Sequence, residues 1–154
     1  MVRILVLMAL VSVLHGCSGR KVFLERHSFS ELKWNRFEEV KFTADIRETA
    51  SPLDVYIHLR HHTVYQDDKL FLTIAITAPD GTRRIRDVEI RLKDKDGKFL
   101  SSGMGDLWDI RVPAFEGITL GDPGKYIILL ENRMSRYDTP GVMEIGVEIR
   151  KSDT

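Results

Sequence analysis

From Val40 onward the chain alternates apolar and polar residues with a period of two, and residues that reverse a backbone interrupt the pattern every few positions. Val55-Tyr56-Ile57-His58-Leu59 and Ile145-Gly146-Val147-Glu148-Ile149 each put apolar side chains on one face of an extended chain, and Ile85, Val88, Ile90 and Leu92 carry charges between them. Leu70-Phe71-Leu72-Thr73-Ile74-Ala75-Ile76 and Tyr126-Ile127-Ile128-Leu129-Leu130 are almost continuously apolar, as expected of strands covered on both faces. Between these runs lie Pro79-Asp80-Gly81, Asp94-Lys95-Asp96-Gly97, Asp122-Pro123-Gly124 and Thr139-Pro140-Gly141. Proline presets φ near −65° and glycine accepts positive φ, so each is a place for the chain to turn back. No helical stripe competes after Val40. The pattern predicts an all-β fold, an antiparallel β-sandwich of about seven to nine strands, with immunoglobulin-like and jelly-roll orders equally compatible.

The amino terminus obeys a different rule. Arg3 precedes an uncharged apolar run from Ile4 to Leu14, then Gly16 and Cys17, the only cysteine in the chain. The run has the layout of a secretory signal and is too short to span a bilayer as a helix. A lone cysteine forms no internal disulfide, so its place at the end of the signal points to chemistry on the thiol rather than to packing. The segment resembles a bacterial lipobox, which implies lipid on the sulfur of Cys17, cleavage before it and acylation of the new amino terminus. His15 stands where small residues are usual. This reading divides the chain into a lipoprotein signal peptide at 1–16, a lipidated tether at 17–33 and a β-sandwich domain at 34–154. One acyl chain holds a protein only marginally and two or more hold it stably, so a multiply acylated Cys17, palmitate included, binds the membrane without a spanning helix.

Lysine plus arginine and aspartate plus glutamate number 23 each. That balance argues against a nucleic-acid binder, whose footprint is a basic surface. The one basic cluster, Arg83-Arg84-Ile85-Arg86, is followed at once by Asp87 and reads as a charged strand edge that discourages pairing with other chains. Ser18 to Lys33 is polar without a sustained period and reads as the tether, reaching about 50 Å if fully extended.

Few side chains present themselves for chemistry. His58, His61 and His62 are the best metal candidates, but His58 and His62 are about 13 Å apart on one strand face and His61 points the other way, which does not suit one zinc ion. Asp94-Lys95-Asp96-Gly97 lacks the third acid and distal glutamate of a calcium loop and reads as a hairpin turn. Ser102-Gly103-Met104-Gly105-Asp106-Leu107-Trp108-Asp109 is the most unusual stretch. Its Asp106, Trp108 and Asp109 are the candidate ligand or partner site, against the simpler reading of a bulged turn whose tryptophan packs on the sandwich. Ser101 and Ser102 lack the surroundings of an acyl-transfer nucleophile. No catalytic, metal or cofactor site is expected.

Taken in order, Cys17, Trp34, Phe42, Asp54-Val55-Tyr56-Ile57-His58-Leu59-Arg60, Tyr65, Leu70-Phe71-Leu72, Pro79-Asp80-Gly81, Asp94 through Leu100, Gly103-Met104-Gly105-Asp106, Gly124-Lys125-Tyr126, Glu131, Met134 and Pro140 through Ile149 resemble the GldH family of gliding-motility lipoproteins of Bacteroidota. The likeness covers nearly the whole chain and ends on a Pro-Gly-Val-x-x-hydrophobic-Gly pattern. Asp67 and Asp68 stand where the family has an aromatic and an asparagine after Tyr65, and Ser101 stands for a glycine. The resemblance carries over no catalytic residue and only Cys17 as a functional position. It implies a non-enzymatic outer-membrane lipoprotein working among protein partners of the motility and secretion apparatus. A lipid-anchored carbohydrate-binding module using Asp106, Trp108 and Asp109 is the alternative. Surface-exported lipoproteins of Bacteroidota carry acids just after the cysteine, whereas Ser18-Gly19-Arg20-Lys21 follows here, so the domain is expected to face the periplasm.

Overall fold

The computed structural model describes residues 21–153. In chain order its strands are β1 (Lys21–Ser28), β2 (Lys33–Asn35), β3 (Glu39–Ile46), β4 (Leu53–His62), β5 (Lys69–Thr77), β6 (Arg83–Arg91), β7 (Ser102–Met104), β8 (Leu107–Ile118), β9 (Gly124–Asn132), β10 (Asp138–Pro140) and β11 (Val142–Lys151). One sheet runs β1-β11-β4-β8-β7, the other β3-β9-β5-β6, and β2 pairs with β10 as a short ribbon. The all-β sandwich is as the alternation predicts. Eleven strands replace the expected seven to nine because β2, β7 and β10 have three residues each, too few to show a period.

The two sheets follow from nested antiparallel pairs: β1 with β11, β3 with β9, β4 with β8, and β5 with β6. A single long hairpin rolled on itself produces this order. It is the jelly-roll arrangement, and it decides between the two topologies that the sequence left open.

Alternation becomes burial directly. In β3, Val40, Phe42, Ala44 and Ile46 are buried while Glu39, Lys41, Thr43 and Asp45 are exposed, and in β4 Leu53, Val55, Ile57 and Leu59 are buried. They meet Leu72, Ile74, Ile90, Ile128, Leu130, Ile145 and Val147 between the sheets. Each of the larger side chains, valine upward in size, contributes about 1.5–3 kcal/mol when fully buried. Two expectations are corrected. β5 and β9 are not covered on both faces: Ile127 and Leu129 are only half-buried and Phe71 is exposed, since no further layer packs outside the four-stranded sheet among the described residues. Residues 21–33 are not a tether along their whole length. β1 takes 21–28, Phe29 stacks on the fully buried Trp34, and Phe29 N–H donates to Met143 O. The burial of β1 does not alternate, because an edge strand can be held by its backbone ladder to β11 alone.

The basic cluster lies on β6, an edge strand, as expected. Arg86 donates to Ala114 O of β8 at 2.7 Å and Arg84 to Thr119 O, just past the end of β8, at 3.2 Å, so both guanidinium groups cross to the opposite sheet.

Register defines the two ends of the sandwich. Lys21 lies beside Arg150, Lys151 beside Leu53, and Ile46 beside Gly124, all at the proximal end. Ser28 beside Glu144, His62 beside Leu107 and Glu39 beside Glu131 mark the distal end, with the β2–β10 ribbon. The eight residues of β1 separate the two ends by about 24 Å at ~3.4 Å per residue.

Candidate functional site

Cys17 and the signal peptide 1–16 lie outside the described residues. The place where the chain enters the fold is nonetheless fixed. Three residues separate Cys17 from Lys21, so at ~3.6 Å per residue the two α-carbons are at most about 14 Å apart. The expected tether of about 50 Å is therefore cut to a short link at the proximal end.

Asp106, Trp108 and Asp109 do not converge. Gly105, with φ at +64°, and Asp106 form the tight turn between β7 and β8, and Asp106 accepts a hydrogen bond from Thr63 Oγ1 at 3.0 Å. Asp109 faces the outside of the five-stranded sheet and accepts from Arg60 Nε at 2.8 Å and a terminal Arg60 nitrogen at 3.0 Å. Trp108, its neighbour on the strand, points to the opposite face. Its ring packs against Phe99 at 5.3 Å, Phe99 packs against His61 at 4.9 Å, and the indole Nε1 is buried without a hydrogen-bond partner. Gly103 makes room for it: a Cβ there would stand 2.8 Å from Trp108 Cδ2. The tryptophan packs on the sandwich, but through a tight hairpin rather than a bulge.

The three histidines are separated as their spacing predicts. His61 is fully buried, where Ser101 Oγ pairs with its Nε2 at 2.9 Å, and burial lowers its pKa. His62 Nδ1 accepts from Val64 N–H at 3.1 Å. His58 belongs to an ionic cluster on the outer face of the five-stranded sheet. There Glu148, only 7% exposed at its side chain, accepts from His58 Nε2 at 2.7 Å and from Arg111 Nε at 3.1 Å, with Arg150 Nε 3.5 Å away. Burial opposes ionisation of Glu148, but the His58 hydrogen bond and the charges of Arg111, His58 and Arg150 outweigh it and hold the carboxyl below its usual range. The Arg111 guanidinium also lies 3.5 Å over the Tyr56 ring. Beside the cluster, a cleft of about 340 Å³ is lined by Arg26, Arg60, Asp109 and Glu144 among others. Each of its arginines already faces an acid, which makes this face a cross-strand lattice of charge rather than an unfilled receptor.

The Asp94-to-Gly97 segment is a turn, as read from sequence. Asp94 Oδ1 accepts from the backbone of Asp96 and Lys98, both at 2.9 Å, and Gly97 has φ at +79°.

A feature missed in the sequence sits at the distal end. Phe37, 78% exposed, and Tyr137, 60% exposed, come from loops beside β2 and β10 and bring their rings to 5.9 Å. Arg36 N–H donates to Tyr137 O at 2.8 Å, and the Arg36 guanidinium donates to Ser135 O at 3.2 Å, tying the two loops together. Beneath them Asn132, almost wholly buried, donates through Nδ2 to Trp34 O and Thr139 Oγ1 and accepts from Met134 N–H, each at 2.9 Å. Each aromatic residue alone looks like an ordinary loop residue; only long-range pairing brings them together.

Comparison with known proteins places this architecture. The chain is 25% identical over 145 residues to the gliding motility lipoprotein GldH homolog of Christiangramia forsetii, covering 90% of this chain and 88% of that one. It is 23% identical over 155 residues to the gliding motility lipoprotein GldH of Flavobacterium johnsoniae, covering 96% of each. Among solved structures, the Yersinia pseudotuberculosis-derived mitogen superposes with a TM-score of 0.35 at 8% identity, over 86% of this chain and 88% of that one. The family model for the GldH lipoprotein matches residues 21–149, the span from the first residue of β1 to near the end of β11. The chain belongs to the GldH lipoprotein family.

Proposed function

We propose that this protein is a lipid-anchored, non-catalytic interaction and structural component of a gliding motility and associated secretion apparatus, held through Cys17 on the periplasmic face of the outer membrane. The family match over the whole sandwich carries this reading, with relatives named for gliding motility and lipoprotein character. The lipobox-like run ending at Cys17 supplies an anchor just before β1, and the absence of acids from Ser18 to Lys21 favours the periplasmic side. The carbohydrate-binding alternative is disfavoured, because Trp108 and Asp109 lie on opposite faces of β8 and cannot grip one ligand together.

The test is Cys17→Ala at the native locus of a gliding host. The variant is expected to keep a β-sheet circular dichroism spectrum, leave the membrane fraction and abolish spreading over a surface. Full recovery in the membrane rejects the lipid anchor. Protease added to intact cells is expected to spare the domain, and digestion without breakage of the outer membrane rejects the periplasmic placement.

A further inference from the structure

The segment from Leu92 to Ser101 connects β6 in one sheet to β7 in the other, and it meets His61 at the distal end. His61 is fully buried on β4, set by register between Val142 of β11 and Trp108 of β8. Phe99 and Tyr65 stand 4.9 Å and 5.9 Å from its ring. Its hydrogen bonds fix where the proton sits. Nδ1 lies 3.3 Å from His62 O, and a carbonyl oxygen only accepts, so Nδ1 carries the hydrogen and Nε2 accepts from Ser101 Oγ at 2.9 Å. An imidazolium would have to donate at both nitrogens. The Ser101 hydroxyl hydrogen would then lose the one acceptor it has among the described residues.

The surrounding acids are committed elsewhere. On β8, Asp109 is bound to Arg60, and Asp106 in the turn before it accepts from Thr63 Oγ1. After β4, His62 turns its Nδ1 to Val64 N–H, Asp67 pairs with Arg136, and Asp68 O receives the N–H groups of Leu92 and Lys93. Tyr65 donates to Lys69 O, and burial raises its pKa, so it stays neutral. On β11, Glu144 pairs with Arg26. Within the segment Asp94 closes its own turn, Lys95, Asp96 and Lys98 are exposed, and Lys93 adds positive charge 5.3 Å over the Phe99 ring. Burial therefore dominates at His61, with Asp109 and Lys93 acting on it in opposite senses. The covering stretch is held by little: Leu100 N–H on Leu92 O, Asp94 N–H on Lys98 O, and the three-residue ladder of β7. Beneath it Trp108 Nε1 is buried without a partner, so water admitted on opening satisfies a group that the closed state leaves unpaired.

We propose that the stretch from Lys98 through β7 is an acid-released strap: neutral His61 latches it to the sandwich through Ser101 and Phe99, and protonation of His61 releases it and uncovers Trp108. The sign follows from linkage. Once open, His61 takes up a proton near its ordinary pKa of about 6.5, whereas the closed site resists it, so closure is fully favoured above that pH and weakens as pH falls through it. With the closed state neutral throughout, the open population rises about thirtyfold between about pH 7.5 and about pH 5. The latch lies within the sandwich and stands independently of the lipid anchor.

Hydrogen exchange of the full-length lipoprotein in detergent, followed by mass spectrometry and corrected for the pH dependence of the chemical step, reads the opening. Protection of residues 98–104 is expected to fall about ten- to thirtyfold across that pH range, with β3 and β9 unchanged. His61→Gln offers Ser101 an acceptor but takes up no proton, so its protection at 98–104 is expected not to vary with pH. A parallel loss in every strand, no loss at 98–104, or the same loss in His61→Gln overturns the proposal. Should His61→Gln not fold, nitrogen-15 shifts of the wild-type His61 ring decide. Titration that coincides with loss of protection at 98–104 supports the strap; an Nε2–H tautomer near neutrality, or a titration that leaves the protection unchanged, overturns it.

Discussion

His58 donates through Nε2 to Oε2 of Glu148 at 2.7 Å, although the strand register sets His58 opposite Gly146 and Glu148 opposite Tyr56. The contact is diagonal. Because the carboxyl is held below its usual range in the folded state, its stabilising contribution is present above the ordinary glutamate pKa and disappears as pH falls through the lower folded value. Glu148→Gln is expected to cost about 1.5–3 kcal/mol near neutrality, the range for hydrogen bonds to charged groups. In urea titrations the gap between variant and wild type should narrow as pH drops below about 4. A gap independent of pH would show that the charge of Glu148 is immaterial.

Asn132 should be the costliest polar residue to replace. Asn132→Leu fills similar space but strands the carbonyl of Trp34, the hydroxyl of Thr139 and the amide of Met134. Each buried group left unsatisfied costs about 1–3 kcal/mol. A loss of about 3 kcal/mol or more is expected from denaturant midpoints, and a midpoint unchanged within error would mean that water replaces the side chain.

Gly141 and Gly146 act through the backbone in different ways. Gly141 has φ at +85° and lies so close to Tyr65 that a Cβ would stand 2.7 Å from its backbone nitrogen. At Gly146 an added Cβ would come 2.7 Å from Arg26 Cγ and 2.8 Å from Glu25 O, straining the ladder between β1 and β11. Valine at either position is expected to destabilise by about 1–3 kcal/mol. Gly146→Val should in addition speed hydrogen exchange in β1 selectively, a signature that Gly141→Val lacks.

Arg84 and Arg86 guard an edge. Replacing both with alanine frees the carbonyls of Ala114 on β8 and of Thr119 just after it. Unprotected edges recruit other chains. Light scattering at increasing protein concentration should show earlier aggregation of the double variant with little change in its unfolding midpoint at high dilution. Equal scattering would show the edge to be protected by other means.

What the sequence conveyed follows from the range of the interactions. β3 and β4 were legible because a more exposed face leaves a period of two, β11 because Gly146 and Glu148 alternate with apolar residues even though both are buried, and the Asp94–Gly97 turn because its chemistry is local. β1 was not, since edge pairing depends on backbone groups that any residue supplies. The separation of Trp108 from Asp109 follows from strand geometry once β8 is recognised. The meeting of Phe37 with Tyr137, and the choice of a jelly roll over an immunoglobulin order, depend on pairings between distant segments for which no local pattern exists.

The position of β11 between β1 and β4 has a kinetic consequence. A chain made and delivered amino terminus first exposes β1 early, yet among the described residues its one ladder partner is β11, the last strand to arrive. Until residues 142–151 emerge, β1 and β4 both present open hydrogen-bonding edges. Contacts of such sequence separation form slowly, typically in milliseconds to seconds. The nascent domain therefore spends its most aggregation-prone interval incomplete, and closure of the five-stranded sheet is a late event that requires the carboxy-terminal strand.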